Sequence, residues 1–219
     1  MSAGAMRAVK VLVWAACIWP GANLFYNAFW GDLGINPVET LEHTSGEAAL
    51  VILLCSLAIT PVRRITGWNR LQSLRRLLGL WAFFYALAHL SFYILFDQAC
   101  LYWADCQLKA VVDDVMKRKF ILSGMVAFFA MLPLALTSTK GWIRRLGKRW
   151  QTLHRLAYVA GAAGAIHFIW KTKVPETKPY LYGGILLVLL GVRGFYTWRK
   201  KRAGWGRVST VGNSGNIDS

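Results

Sequence analysis

Six long apolar runs constrain this 219-residue chain more than any other feature: Val9–Phe29, Thr44–Val62, Leu77–Phe96, Phe120–Ser138, Thr152–Trp170 and Tyr180–Trp198. Each is close to the roughly 20 residues a helix needs to cross about 30 Å of hydrocarbon. A soluble domain of this size builds one core without such runs, and 56% hydrophobic content with eleven tryptophans points the same way. The expected fold is therefore an all-α integral membrane protein, a bundle of six transmembrane helices.

The formal net charge of +16 raises nucleic acid as a partner, so the placement of the charge decides. Threading six spans puts nineteen of the twenty-six Lys/Arg residues on the side shared by both termini. Nine of the ten acidic residues fall toward the other side, Asp218 being the exception. The positive-inside rule then predicts both termini in the cytoplasm. The charge reads as topology and not as a nucleic-acid surface. The first run is too long, and too rich in Trp14, Trp19, Pro20, Asn23 and Asn27, for a cleavable signal segment, and no A-x-A-like site comes before the aromatic Phe25–Trp30 cluster.

Residues 1–198 are expected to form the membrane domain, and 199–219, basic and then Gly/Ser/Asn-rich (GNSGNIDS), a disordered cytoplasmic tail. The longest connection, about Asp97 to Lys119, contains LKAVVDDVMKRKF, a candidate interfacial amphipathic helix. Cys17 and Cys55 read as small apolar packers. Cys100 and Cys106 share the outer loop, where a disulfide and two free thiols are equally compatible with the spacing. None of the four has metal-site spacing.

An internal echo runs through the chain. LAIT at Leu57–Thr60 and LALT at Leu134–Thr137 each precede a basic loop and a span with a deep histidine, His89 or His167. Superposing those two histidines places Arg76 where the later span carries His154. The two helical hairpins look like a degenerate pair packed together.

Ionisable rings inside spans are costly and mark function by default, although one isolated histidine more often just hydrogen-bonds between helices. Here there are three, and His89 and His167 lie at matching depths, 13 residues beyond Arg76 and 12 beyond Arg155. Two imidazoles opposed across a bundle suit bis-His ligation of a haem. A zinc site would need more ligands than that layer supplies. His154 lies thirteen residues before His167, about 1300° of helix rotation and about 19.5 Å of rise, so the two fit separate stations. Gly79, Gly161 and Gly164 offer close approach, and Trp81, Phe83, Phe84 and Tyr85 could wall a macrocycle. Arg75, Arg76 and Arg155 serve equally as propionate or flavin-phosphate partners and as ordinary topology anchors.

The stretches NPVETLEHTSGEAAL (Asn36–Leu50), LAITPVRR (Leu57–Arg64), RRLLGLWAFFYALAHLSFY (Arg75–Tyr93), LALTST (Leu134–Thr139), LGKRWQTLHRLAY (Leu146–Tyr158) and IHFIW (Ile166–Trp170) carry a resemblance. From about residue 20 to 198 the chain resembles the MsrQ (YedZ) haem-binding membrane subunits of bacterial methionine sulfoxide reductase systems, within the ferric-reductase-like transmembrane superfamily. The resemblance implies an electron-transfer subunit of the inner (cytoplasmic) membrane with one or two haems b. His89 and His167 would ligate an outer haem, and His154 would serve an inner one. Arg76 and Arg75 would lie at that inner, cofactor-binding level. It also implies FMN as a further cofactor, electrons from the quinone pool or a cytoplasmic flavin donor, and a periplasmic molybdenum partner (MsrP). Reduction of methionine sulfoxide in oxidised proteins would fall to that partner, leaving no catalytic residue here. The superfamily usually carries two histidines on each of two spans, and this chain departs from it at Arg76. No Gly-rich phosphate loop is evident to hold a flavin.

His43, beside Glu42, suits a quinone-facing position, a docking surface or the start of a helix. A histidine-relay, proton-coupled transporter is the competing function, and it calls for membrane carboxylates or broken helices that the spans largely lack. A purely structural anchor is a third.

Overall fold

The computed structural model describes residues 3–98, 108–172 and 176–211. Cys100 and Cys106 lie outside them, as does the GNSGNIDS segment. The described residues form nine α-helices and no strand: α1 (Ala3–Phe29), α2 (Pro37–Thr66), α3 (Gln72–Phe92), α4 (Leu108–Lys117), α5 (Lys119–Leu136), α6 (Lys140–Leu146), α7 (Lys148–Leu153), α8 (Leu156–Lys171) and α9 (Thr177–Val211). Among the described residues five segments are long and apolar enough to cross a membrane: Gly4–Phe29, Pro37–Thr66, Asn69–Asp97, Lys119–Leu136 and Thr177–Arg199.

The remaining predicted span, Thr152–Trp170, is not one continuous helix. It breaks at His154 and Arg155, leaving α8 with 16 residues. At 1.5 Å per residue that is about 24 Å, short of a full hydrocarbon thickness. Arg155, at the start of α8, is exposed. The predicted disordered tail also differs, because α9 continues as helix past Trp198 to Val211. The outer-loop helix is present as α4.

Local chemistry sets the ends of α2. Asn36 accepts a hydrogen bond from the Glu39 N–H, and Pro37 takes the first helical turn, where its missing N–H costs nothing. Gly67, at φ 72°, closes the other end with its N–H bonded to the Arg63 carbonyl. That left-handed conformation favours glycine.

The bundle is built from two helical hairpins. α2 packs chiefly on α3, and α5 on α8. Their shared core gathers Ile52, Leu53, Leu78, Ala82, Met131 and Ala160. Ala82 and Ala160 have no exposed surface and hold equivalent places before His89 and His167. The predicted internal echo is thus a packing equivalence. α9 joins through Leu186, which with Leu57 meets the open face of Gly161.

α1 is held by an unusual bridge. Pro20 leaves its own helical donor missing, and the next N–H, on Gly21, would normally bond the Cys17 carbonyl. Instead the Tyr85 hydroxyl accepts from Gly21 N–H at 2.9 Å and donates to the Cys17 carbonyl at 2.6 Å. A side chain inserted in the helix ladder thus satisfies both backbone groups next to the proline. Trp14 and Trp81 meet edge to face beside it, at 5.3 Å.

Candidate functional site

α3 and α8 bring His89 and His167 together. Their ring centroids lie 5.9 Å apart with planes at 79°. The two rings are anchored in the same way. His89 Nδ1 lies 2.8 Å from the Glu42 carbonyl, and His167 Nδ1 lies 2.6 Å from the Phe120 carbonyl. A carbonyl only accepts, so each Nδ1 carries the proton and donates it. Each Nε2 is left with its lone pair, the state a metal requires.

A helical carbonyl already accepts from the N–H four residues on, so a side chain reaches it only if nothing covers it. The residues four on from Glu42 and Phe120 are Gly46 and Gly124. A Cβ at Gly46 would stand 3.0 Å from His89 Nδ1, and one at Gly124 2.8 Å from His167 Nδ1. The two glycines admit the rings. Glycine precedes histidine by the same interval in both hairpins, a signal present in the sequence that the histidine depths alone do not use.

The histidines line a cavity of about 500 Å³, within the usual range for cofactor sites. Ala49, Leu53, Phe128 and Met131 form part of its apolar wall, and Asn36, Glu42, Arg118 and Lys171 lie toward its mouth. Arg118 pairs with Asp114 at 2.7 Å and Lys171 with Glu42 at 3.8 Å. Asp114 also accepts from the Tyr93 hydroxyl, which fastens α4 beside the opening. A haem fits this donor set. The site offers two neutral imidazole nitrogens within an apolar enclosure, the ligand type and surroundings that would suit a haem iron.

Other predicted site residues lie elsewhere. His154 caps the end of α7, its ring against Trp150 at 3.8 Å and tilted by 31°, with Nε2 at 3.4 Å from Thr137 Oγ1. No second histidine faces it, since the others are His43, His89 and His167, all toward the cavity. The cation whose field reaches it is Arg75, half-buried, while Arg76 is exposed. This corrects the expectation that Arg76 faces His154: on α3 the two arginines differ by about 100° of rotation, and Arg75 has the inward face.

The predicted aromatic wall is also redistributed. Phe83 stacks on Phe128 at 5.7 Å, Trp81 and Tyr85 turn to α1, and Phe84 is exposed. Of the predicted glycines, Gly164 lines the cavity, whereas Gly79 faces Ser56 and Gly161 packs on leucines.

His43 does not start its helix, which Asn36 caps. Its Nδ1 is 3.7 Å from Glu47, and its ring meets Phe168 edge-on at 5.7 Å. Glu47 accepts from the Tyr182 hydroxyl at 2.7 Å and pairs with Lys178 at 3.3 Å. This polar cluster ties α2 to α9 beside the cavity.

Residues 45–165 match the family model described as "Ferric reductase like transmembrane component". The chain is similar to three proteins named "Protein-methionine-sulfoxide reductase heme-binding subunit MsrQ". With that of Ralstonia nicotianae it shares 40% identity over 91% of this chain and 90% of that protein. With that of Herminiimonas arsenicoxydans it shares 42% over 88% and 87%. With that of Brucella anthropi it shares 44% over 82% and 78%. No solved structure matches.

Proposed function

The chain belongs to the ferric-reductase-like transmembrane family, among its MsrQ-type members, and on that premise we propose that it is the haem-binding electron-transfer subunit of a methionine sulfoxide reductase system. One observation carries the reading: two imidazoles face each other from different helices, each with Nδ1–H given to a backbone carbonyl and Nε2 free.

His89 and His167 hold a haem b between α3 and α8. The haem, when bound, supplies a one-electron couple between ferric and ferrous iron. The carbonyls of Glu42 and Phe120 fix the tautomer and orientation of each ring and raise the basicity of its ligating nitrogen. Arg118 and Lys171 stand at the mouth, where cations would meet the propionates. The apolar wall keeps water from the iron. His154 belongs to an inner level with Arg75, where the family resemblance places a second haem and where this chain offers one imidazole.

The wider setting is part of the proposal: six crossings with α8 as the short one, both termini in the cytoplasm, and the bacterial inner membrane. Electrons come from the quinone pool or a cytoplasmic flavin donor, with FMN as a further cofactor, and pass to a periplasmic molybdenum subunit of the MsrP type. The basic residues at one end of the bundle support this orientation.

A proton relay is less well supported. His89 and His167 give their Nδ1 protons to carbonyls, and Glu47 is occupied by Tyr182 and Lys178, so these groups form no continuous carrier chain.

The test is haem quantification per polypeptide with absorption spectra. Wild type should show a Soret band and sharp reduced α and β bands. His89→Ala and His167→Ala should each lose them, while His43→Ala should keep them. Unchanged haem content and spectra in both of the first two variants would sink the assignment.

A further inference from the structure

The end of the bundle opposite the cavity carries a group of arginines with no carboxylate beside it among the described residues. Arg63 closes α2, Arg75 opens α3, and Arg193 lies in α9, with Arg64 and Arg155 around them. Their fields overlap: Arg63 acts on Arg75, and Arg75, Arg64 and Arg155 act on Arg193. Among the described residues the acids Asp32, Glu39, Glu42, Glu47, Asp97, Asp113, Asp114 and Glu176 all belong to the cavity end. Arg63 Nε is buried without a hydrogen-bond partner among the described residues. Two of the guanidinium groups are held on tyrosine faces, Arg193 over Tyr158 at 4.5 Å and Arg64 over Tyr196 at 5.4 Å.

Topology accounts for positive charge here, but it calls only for lysines and arginines reaching water. It does not call for half-buried guanidinium groups gathered between helices, where like charges repel and a buried donor goes unpaired. An anion resolves both costs. Exposed apolar side chains lie on the bilayer side of these arginines, Val62 in α2 with Leu187 and Val188 in α9. A phosphate with hydrocarbon attached suits that pairing better than a soluble anion.

We propose that the groove between α2, α8 and α9 at this end binds the phosphate of an anionic membrane phospholipid, with Arg63 and Arg193 as its direct ligands and the acyl chains running toward the bilayer centre beside Val62, Leu187 and Val188. Basic pockets between helices at the cytoplasmic face are suited to such headgroups. The site lies apart from the His89–His167 cavity, since Arg75 precedes His89 by fourteen residues, about 21 Å along α3, and it borders the inner level of His154 and Arg75.

The experiment uses full-length protein stripped of lipid in mild detergent. Native mass spectrometry should show about one phosphatidylglycerol retained under activation that removes phosphatidylcholine. Titration with phosphatidylglycerol should raise the melting temperature more than phosphatidylcholine does. Arg63→Gln with Arg193→Gln should weaken that apparent affinity about tenfold or more, while Arg144→Gln with Arg145→Gln, an equal loss of charge on α6, should leave it unchanged. Circular dichroism confirms that each variant is folded. Equal weakening in the α6 variant overturns the site in favour of general surface charge. Stabilisation by millimolar inorganic phosphate or FMN, matching that of the lipid, overturns the lipid in favour of a soluble phosphate. Wild type that shows no preference between the two lipids overturns the proposal regardless of how the variants fold.

Discussion

A methyl group at position 124 would stand 2.8 Å from Nδ1 of His167, closer than real side chains approach. Gly124→Ala should therefore push the ring from the Phe120 carbonyl and misdirect Nε2, and Gly46→Ala should do the same to His89, where the clearance is 3.0 Å. Losing the outer partner of a ligating histidine typically costs about 10–100-fold in affinity. Haem titration should show that loss for both variants, whereas Gly79→Ala, with Ser56 at 3.7 Å, should bind haem as wild type does. At this scale the sequence singled out the two imidazoles that the fold brings together, because a charged or polar ring in a span needs a reason. It did not show what orients them. A backbone carbonyl is anonymous in a sequence, and its availability depends on a glycine in another helix. The choice between Arg75 and Arg76 was hidden similarly, since depth can be counted along a chain while helix rotation needs the neighbours.

Helices here were predictable where one segment alone supplies the signal. Five of the apolar runs are found in candidate spans, and α4 appeared where the loop is amphipathic. The break at His154–Arg155 was not legible, because the apolar pattern runs on through it while the bonds that stabilise the turn are tertiary. Trp150 Nε1 donates to the Thr137 carbonyl at 3.0 Å, and His154 reaches Thr137 Oγ1. Thr137→Val should leave His154 without that contact. Any inner cofactor depending on His154 should then change spectrally, with the outer bis-His bands intact. The α1 bridge offers a second test at this scale. Tyr85→Phe removes the hydroxyl that serves Gly21 N–H and the Cys17 carbonyl. Stranding buried backbone groups costs about 1–3 kcal/mol, so a lower melting temperature is expected with haem content unchanged. An unaltered melt would mean that α1 re-forms its own bond on losing the hydroxyl.

For the molecule as a whole, the charge asymmetry predicts that reporters fused at either end report the cytoplasm. A carboxyl-terminal fluorescent protein should glow and an alkaline phosphatase fusion should stay inactive, with the reverse outcome inverting the topology. The haem pocket would then lie near the outer surface, at the correct end to meet a periplasmic acceptor. The sequence by itself determined that the chain is helical and membrane-spanning, that it is a doubled hairpin, and that His89 pairs with His167. Hydrocarbon dictates long apolar helices, charge bias marks their direction, and equal spacing survives in the residues. Only the tertiary structure decided how the rings are held, which arginine turns inward, and where a buried cation lacks a counterion. Those depend on helix rotation and on contacts between segments 47 residues or more apart. No local pattern encodes the angle at which one helix meets another.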